Sequence, residues 1–205
     1  MTHKTCKADD PACVQHAAEI LRKGGVIIHP TETLYGFAAN ALIPSALRRV
    51  DAIKRRRAQD TYLVLLKDRA MAEDLQLTFE RLADKLAARF WPGPLTLLLP
   101  VERTSPLNPL AVQGLVAVRV SPDPFVSALF GHIDFPVIST SVNTSGTSPL
   151  LDPVKIAAQF QGSVEMIFER GTYRSSVPST LVSCVNNTLT LVRKGAISEE
   201  DLYGL

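Results

Sequence analysis

Two polar sets in this chain carry the residue types needed to handle a charged, hydroxyl-bearing small molecule. The first is basic: Arg48, Arg49, Lys54, Arg55, Arg56 and Arg57 fall within ten positions. Lys54 could meet a phosphate as a point charge and Arg56 as a planar fork. The competing reading is a solvated helix end whose charges complement the helix dipole. The second set is rich in hydroxyls. It comprises Pro30-Thr31-Glu32-Thr33-Leu34-Tyr35-Gly36, Ser139-Thr140-Ser141-Val142-Asn143-Thr144-Ser145-Gly146 and Pro178-Ser179-Thr180. Such segments offer donors and acceptors without charge, or they simply make turns and caps. Arg119 and Arg193 lie at the ends of hydrophobic runs. They suit a carboxylate or phosphate as well as a structural ion pair.

Several familiar chemistries lack their signatures. No GxxxxGK[ST] loop and no GxGxxG fingerprint is present, so neither common nucleotide-binding fold is supported. GxSxG and HExxH are missing too, which argues against a serine hydrolase and a zinc peptidase. His3, His16, His29 and His132 stand alone in sequence and read as surface or satisfied side chains. Cys6, Cys13 and Cys184 form no CxxC pair, so the reading is reduced thiols and no structural zinc.

The elements that must position these residues alternate along the chain. Helical spacing runs over 14–23, from Ser45 as a cap through Leu47, Val50 and Ile53, and through Leu82, Leu86 and Phe90. Apolar strands are predicted at 26–29, 62–66, 95–99, 116–120, 136–140, 164–168, 180–185 and 188–192. The last two should form a hairpin around Asn186-Asn187. Asp123-Pro124 and Asp152-Pro153 mark helix starts, as does Ser198 ahead of three acidic residues. The segment before residue 14 and the stretch after Tyr35 receive no strand. This predicts an α/β (α+β) fold with a mixed sheet, organised as a single domain over 1–205.

Composition narrows the class further. The 205 residues are 46% hydrophobic and 20% charged, enough for a sizeable core. A net charge of +2 says little about partners, so any RNA or tRNA contact would rest on the local run from Arg48 to Arg57. The N-terminus has no apolar signal region, and apolar runs fall far short of the ~20 residues of a membrane helix. The expectation is a soluble, cytoplasmic protein with no membrane partner.

Taken in order, the segments resemble the YrdC-like family of threonylcarbamoyl-AMP synthases. They are Gly24-Gly25, PTETLYG at 30–36, KRR at 54–56 as the family's K-x-R, and FWPGPLTLLL at 90–99. VAVRV at 116–120, STSVNTSG at 139–146 containing S-x-N, PST at 178–180 and LVRKG at 191–195 follow. Each is weak alone, and together they cover roughly 12–200. The resemblance implies a twisted, open mixed sheet with flanking helices and a positively charged groove holding ATP beside L-threonine. By position, Lys54, Arg56, Leu115, Ser141, Asn143 and Arg193 would serve ATP, with Lys54 and Arg56 catalytic. Thr31, Arg119, Ser139 and Ser179 would surround threonine.

The implied reaction joins L-threonine, bicarbonate and ATP into threonylcarbamoyl-AMP and pyrophosphate, for N6-threonylcarbamoyladenosine in tRNA. Mg2+ would accompany ATP with no dedicated protein metal site, and other tRNA-modifying proteins would take up the product. Cationic clamps rather than a covalent nucleophile suit such a barrier. One departure stands out: Asp60-Thr61 occupies the place of the family's usual Lys-Pro or Asn-Pro, where the substrate loop would differ. The chain also resembles the short form without a further C-terminal domain. Two other readings are a same-fold enzyme activating another carbamoyl donor and a nonenzymatic RNA-binding module. The first would turn over carbamoyl phosphate without threonine. The second would show a steep salt dependence of RNA binding and no ATP consumption.

Overall fold

Asp-Pro pairs begin helices where their chemistry says they should. Asp123 accepts from the Phe125 amide and Asp152 from the Val154 amide, each at 2.9 Å, with proline in the first turn. The computed structural model describes residues 4–55, 61–174 and 177–204. From the N-terminus come β1 (Lys4–Lys7), α1 (Pro11–Arg22), β2 (Ile27–His29), β3 (Gly36–Asn40) and α2 (Pro44–Lys54). Next are β4 (Leu63–Leu66), α3 (Arg69–Asp74), α4 (Arg81–Phe90), β5 (Leu95–Pro100) and β6 (Leu115–Val120). Then follow α5 (Pro124–Phe130), β7 (Val137–Ser141), α6 (Pro153–Phe160) and β8 (Met166–Glu169). The chain closes with β9 (Thr180–Ser183), β10 (Thr190–Arg193) and α7 (Glu199–Tyr203).

The chain packs as two compact units, residues 1–60 with 123–176 and residues 61–122 with 177–205. In the first, the strand order is β1-β8-β2-β3-β7. β1, β8 and β2 run parallel, whereas β3 is antiparallel to both β2 and β7. Cys13, Val14, Ala17, Ala18 and Leu21 form the buried stripe of α1. Beneath it, Phe125 and Phe168 meet with centroids 4.4 Å apart, and Phe37 meets Phe160 edge-on at 5.0 Å. Each such ring contributes about 1.5–3 kcal/mol by leaving water.

In the second unit the order is β4-β6-β5-β9-β10. β4 lies parallel to β6 and β5 parallel to β9, with antiparallel pairing between β5 and β6 and between β9 and β10. The expected β9–β10 hairpin turns through Asn186 and Asn187, both left-handed, as short amide side chains tolerate. Trp91 ends α4 and donates its indole N–H to the Leu95 carbonyl at 2.7 Å, fixing the entry to β5.

Four expectations need correction. β1 and β3 were not anticipated. β3 reads Gly-Phe-Ala-Ala-Asn, poor in β-formers, but β2 and β7 flank it and all five residues are buried. α2 is capped at Ile43 with Pro44 in the first turn, so Ser45 lies inside the helix rather than before it. The long helical stretch predicted to carry Leu82, Leu86 and Phe90 is shorter: all three lie on α4, and a separate helix, α3, precedes it because Gln76 takes a positive φ between the two. Cys6 and Cys13 form a disulfide rather than free thiols, because the first turn of α1 returns Cys13 to within 6.4 Å of Cys6, Cα to Cα. Among the described residues, no helix is long and apolar enough to cross a membrane.

Candidate functional site

In the first unit, α2 and β7 bring three predicted residues together. Lys54 closes α2, is 5% exposed, and donates its ammonium to the carbonyls of Ser141 and Asn143 and to Asn143 Oδ1. The last two contacts are 3.1 and 2.9 Å. Ser141 Oγ donates to the same Asn143 Oδ1 at 2.7 Å, and the Asn143 amide donates to the Thr144 and Thr147 carbonyls. The Ser145 N–H bonds the Lys54 carbonyl at 2.8 Å, so the turn also caps the helix. Phe37 lies beneath the cation, 5.5 Å from Nζ to its centroid. A three-donor ammonium thus folds the S-x-N turn around itself and puts a charge there. Arg56 lies outside the described residues, as does Asp60. Arg49, by contrast, is structural: it pairs with Glu165 and donates to the Ser163 carbonyl at 3.1 Å.

Ser139 stands on β7, and its hydroxyl lies 3.2 Å from His29 Nε2, deep in the unit. Gly36 leaves room for that pair: a Cβ there would approach Ser139 Oγ to 2.6 Å. Thr31 forms a tight turn with Leu34. Its Oγ1 donates to the Leu34 carbonyl at 2.7 Å and accepts from the Thr33 and Leu34 amides at 3.2 and 3.1 Å. The hydroxyl is therefore occupied within its own loop.

In the second unit, β5, β9 and β10 assemble another cluster. Ser179 Oγ pairs with Thr96 Oγ1 at 2.7 Å. Arg193 donates to the Ser179 carbonyl at 3.0 Å and to its hydroxyl at 3.2 Å. Burial lowers the Arg193 pKa below the usual guanidinium value. Gly195 makes the approach possible, since a Cβ there would come within 2.4 Å of the Ser179 carbonyl carbon and the Thr180 nitrogen. Arg119 is 2% exposed on β6, one residue beyond the Leu97–Val118 pairing and so opposite Thr96. Leu115 opens the same strand, four residues from Arg119, and its N–H and C=O both pair with Val112. Arg119 and Leu115 are therefore about 13 Å apart along the strand and not brought together.

No site role was read from the sequence for His29, Thr96, Tyr35 or the Arg170–Tyr173 segment. Thr96 and Tyr35 lie inside motifs already noticed, FWPGPLT and PTETLYG, so their signal was present. His29, read as a surface or satisfied side chain, is buried with its Nε2 3.2 Å from Ser139 Oγ. Arg170 and Tyr173 belong to no motif and become visible only through their contacts.

The Sua5/YciO/YrdC family model, described as telomere recombination, matches residues 19–195. The chain is 34% identical over 196 residues to a threonylcarbamoyl-AMP synthase of Bacillus subtilis strain 168, covering 95% of this chain and 56% of that protein. It is 31% identical over 186 residues to a threonylcarbamoyl-AMP synthase of Vibrio cholerae serotype O1, covering 89% of this chain and 97% of that protein. The crystal structure of P. abyssi Sua5 complexed with L-threonine superposes with a TM-score of 0.86 at 30% identity. That match covers 95% of this chain and 58% of the Sua5 chain. The chain thus spans little more than half the length of the Bacillus and Pyrococcus proteins. It has a mixed α/β fold with a twisted sheet and flanking helices, and it belongs to the Sua5/YciO/YrdC family.

Proposed function

We propose that this chain is an L-threonylcarbamoyladenylate synthase. The observation that carries the reading is the Lys54 ammonium held in the Ser141–Asn143 turn, in a chain 34% identical to a threonylcarbamoyl-AMP synthase. The threonine amine adds to CO2, or to bicarbonate with loss of water, and gives a carbamate. A carbamate oxygen attacks the α-phosphorus of ATP, the bond from that phosphorus to the β-phosphate bridging oxygen breaks, and pyrophosphate leaves with the electron pair. Charge accumulates on phosphate oxygens, so fixed cations and oriented amides are the groups such a step needs.

In this reading Lys54, Arg56, Ser141, Asn143, Leu115 and Arg193 serve the nucleotide. Lys54 does so partly by holding the 141–146 turn so that its amides are already oriented. Thr31, Ser139, Arg119 and Ser179 serve threonine, with Arg119 as a fork for a carboxylate. Among the described residues no three His, Cys, Asp or Glu side chains converge as a metal cage. In this reading magnesium would be held by triphosphate oxygens and water, where it would supply charge neutralisation. The labile product would pass to tRNA-modifying partners in the cytoplasm.

The test is incubation with ATP, magnesium, bicarbonate and L-threonine, following the mixed anhydride by mass spectrometry and pyrophosphate by a coupled assay. Both should appear only when threonine is present. Turnover with carbamoyl phosphate and none with threonine would overturn the reading.

A further inference from the structure

The Thr31 hydroxyl is filled by its own turn: it donates to the Leu34 carbonyl, accepts from the Thr33 and Leu34 amides and lies 3.0 Å from Thr33 Oγ1, which leaves it little capacity for a ligand. What this segment can offer is therefore its shape, and the shape is gripped from outside. The Tyr173 phenol donates to the Thr31 carbonyl. We infer that Tyr173 is a positioning residue, whose phenol holds the Thr31–Leu34 turn in the conformation that receives threonine. The inference rests on the function proposed above.

Tyr173 is itself held on several sides. Its backbone N–H donates to the Leu151 carbonyl at 3.0 Å. Its ring meets Tyr35 edge-on, with centroids 5.0 Å apart and an interplanar angle of 89°. Tyr35 closes the circuit from the other end of PTETLYG: its hydroxyl donates to the Gly171 carbonyl at 2.8 Å and accepts from the Arg170 amide at 2.9 Å. The Arg170 guanidinium forks both oxygens of the buried Asp123 carboxylate, one of them at 3.0 Å. Asp123 in turn caps α5 through the Phe125 amide. A run of four residues after β8 thus clamps the 31–35 loop at two points and is anchored to a buried acid. Burial pushes the Tyr173 phenol well above the usual range, so it stays a neutral donor at any working pH.

A hydroxyl that only supports the fold would, when removed, lower stability and affect both substrates alike. A positioning hydroxyl makes a different prediction. Tyr173→Phe should raise KM for threonine about 10-fold, the order expected from losing one hydrogen bond that orients a site. KM for ATP and kcat should stay within about 2-fold. Arg170→Lys, which weakens the anchor but keeps the charge, should shift threonine KM the same way and by less. Amide exchange at Thr33 and Leu34 should accelerate in Tyr173→Phe and be unaltered in β7.

Unchanged threonine KM in a well-folded Tyr173→Phe protein would overturn the inference. So would equal rises in both KM values with a matching fall in Tm. If the parent protein shows no threonine-dependent turnover, the proposed function fails on its own. The exchange measurement then still decides whether Tyr173 holds the turn, and protection unchanged in the variant sinks that claim.

Discussion

Lys54 Nζ lies 2.9 Å from Asn143 Oδ1, and the same Oδ1 accepts from Ser141 Oγ at 2.7 Å. One amide oxygen therefore joins the end of α2 to the end of β7. Lys54 and the S-x-N segment, 87 residues apart in sequence, are one structure.

Removing the cation should dismantle that structure. Lys54→Met leaves the Ser141 and Asn143 carbonyls without their donor, at about 1–3 kcal/mol for each buried group left unpaired. We expect a stability loss of roughly 2–4 kcal/mol in urea titrations and a fall in synthesis of at least about 100-fold. Lys54→Arg should recover little activity, because a planar fork cannot replace a compact ammonium among three converging oxygens. Full activity in Lys54→Met would contradict the assigned role.

Gly195 should tolerate no side chain. A Cβ at 2.4 Å from two backbone atoms cannot be relieved by a rotamer change. Gly195→Ala should lose about 2 kcal/mol and roughly 4–8 °C in Tm, and loosen the Arg193–Ser179 contact. Gly162→Ala is the control, since a Cβ there meets nothing within 4 Å. Equal Tm values for the two variants would refute the packing argument.

Stability should fall in alkali. Burial raises the Cys184 thiol to about 11 from its ordinary 9.0, so the folded chain holds that proton more tightly than the unfolded chain. The contribution is whole below about pH 9, declines as pH rises, and is gone above about pH 11. It amounts to at most about 3 kcal/mol. The buried Tyr35 and half-buried Tyr173 phenols act in the same direction at higher pH. The diagnostic is therefore a difference: Cys184→Ala should show a shallower loss than the parent between pH 8 and 10.5.

Thiol counting tests the Cys6–Cys13 bond. The native protein should leave the buried Cys184 unreactive toward a thiol reagent. Denatured without reductant, the chain should show one thiol, and with reductant three. Three thiols without reductant would mean that Cys6 and Cys13 are free.

The sequence by itself determined the elements with strong local signals. Asp123-Pro124 and Asp152-Pro153 carry their own caps, Ser198 caps α7 by accepting from the Asp201 amide at 3.0 Å, and Asn186-Asn187 turns a hairpin. Apolar runs such as Leu95–Leu99 and Val116–Val120 formed strands because burial on a sheet suits them whatever surrounds them. The order of the polar motifs was legible too, since spacing along a chain needs no coordinates.

Tertiary structure decided what local propensity could not. β3 is a strand because β2 and β7 occupy its two edges, not because Gly-Phe-Ala-Ala-Asn prefers to be one. Lys54 and Arg49 look alike in a basic run, yet one is buried in a turn of carbonyls and the other is paired with Glu165. Tyr173 belongs to no motif and gains its meaning only by reaching Thr31, 142 residues away. Hydrogen bonds between distant segments depend on where the sheet brings them, and a linear pattern holds no record of that.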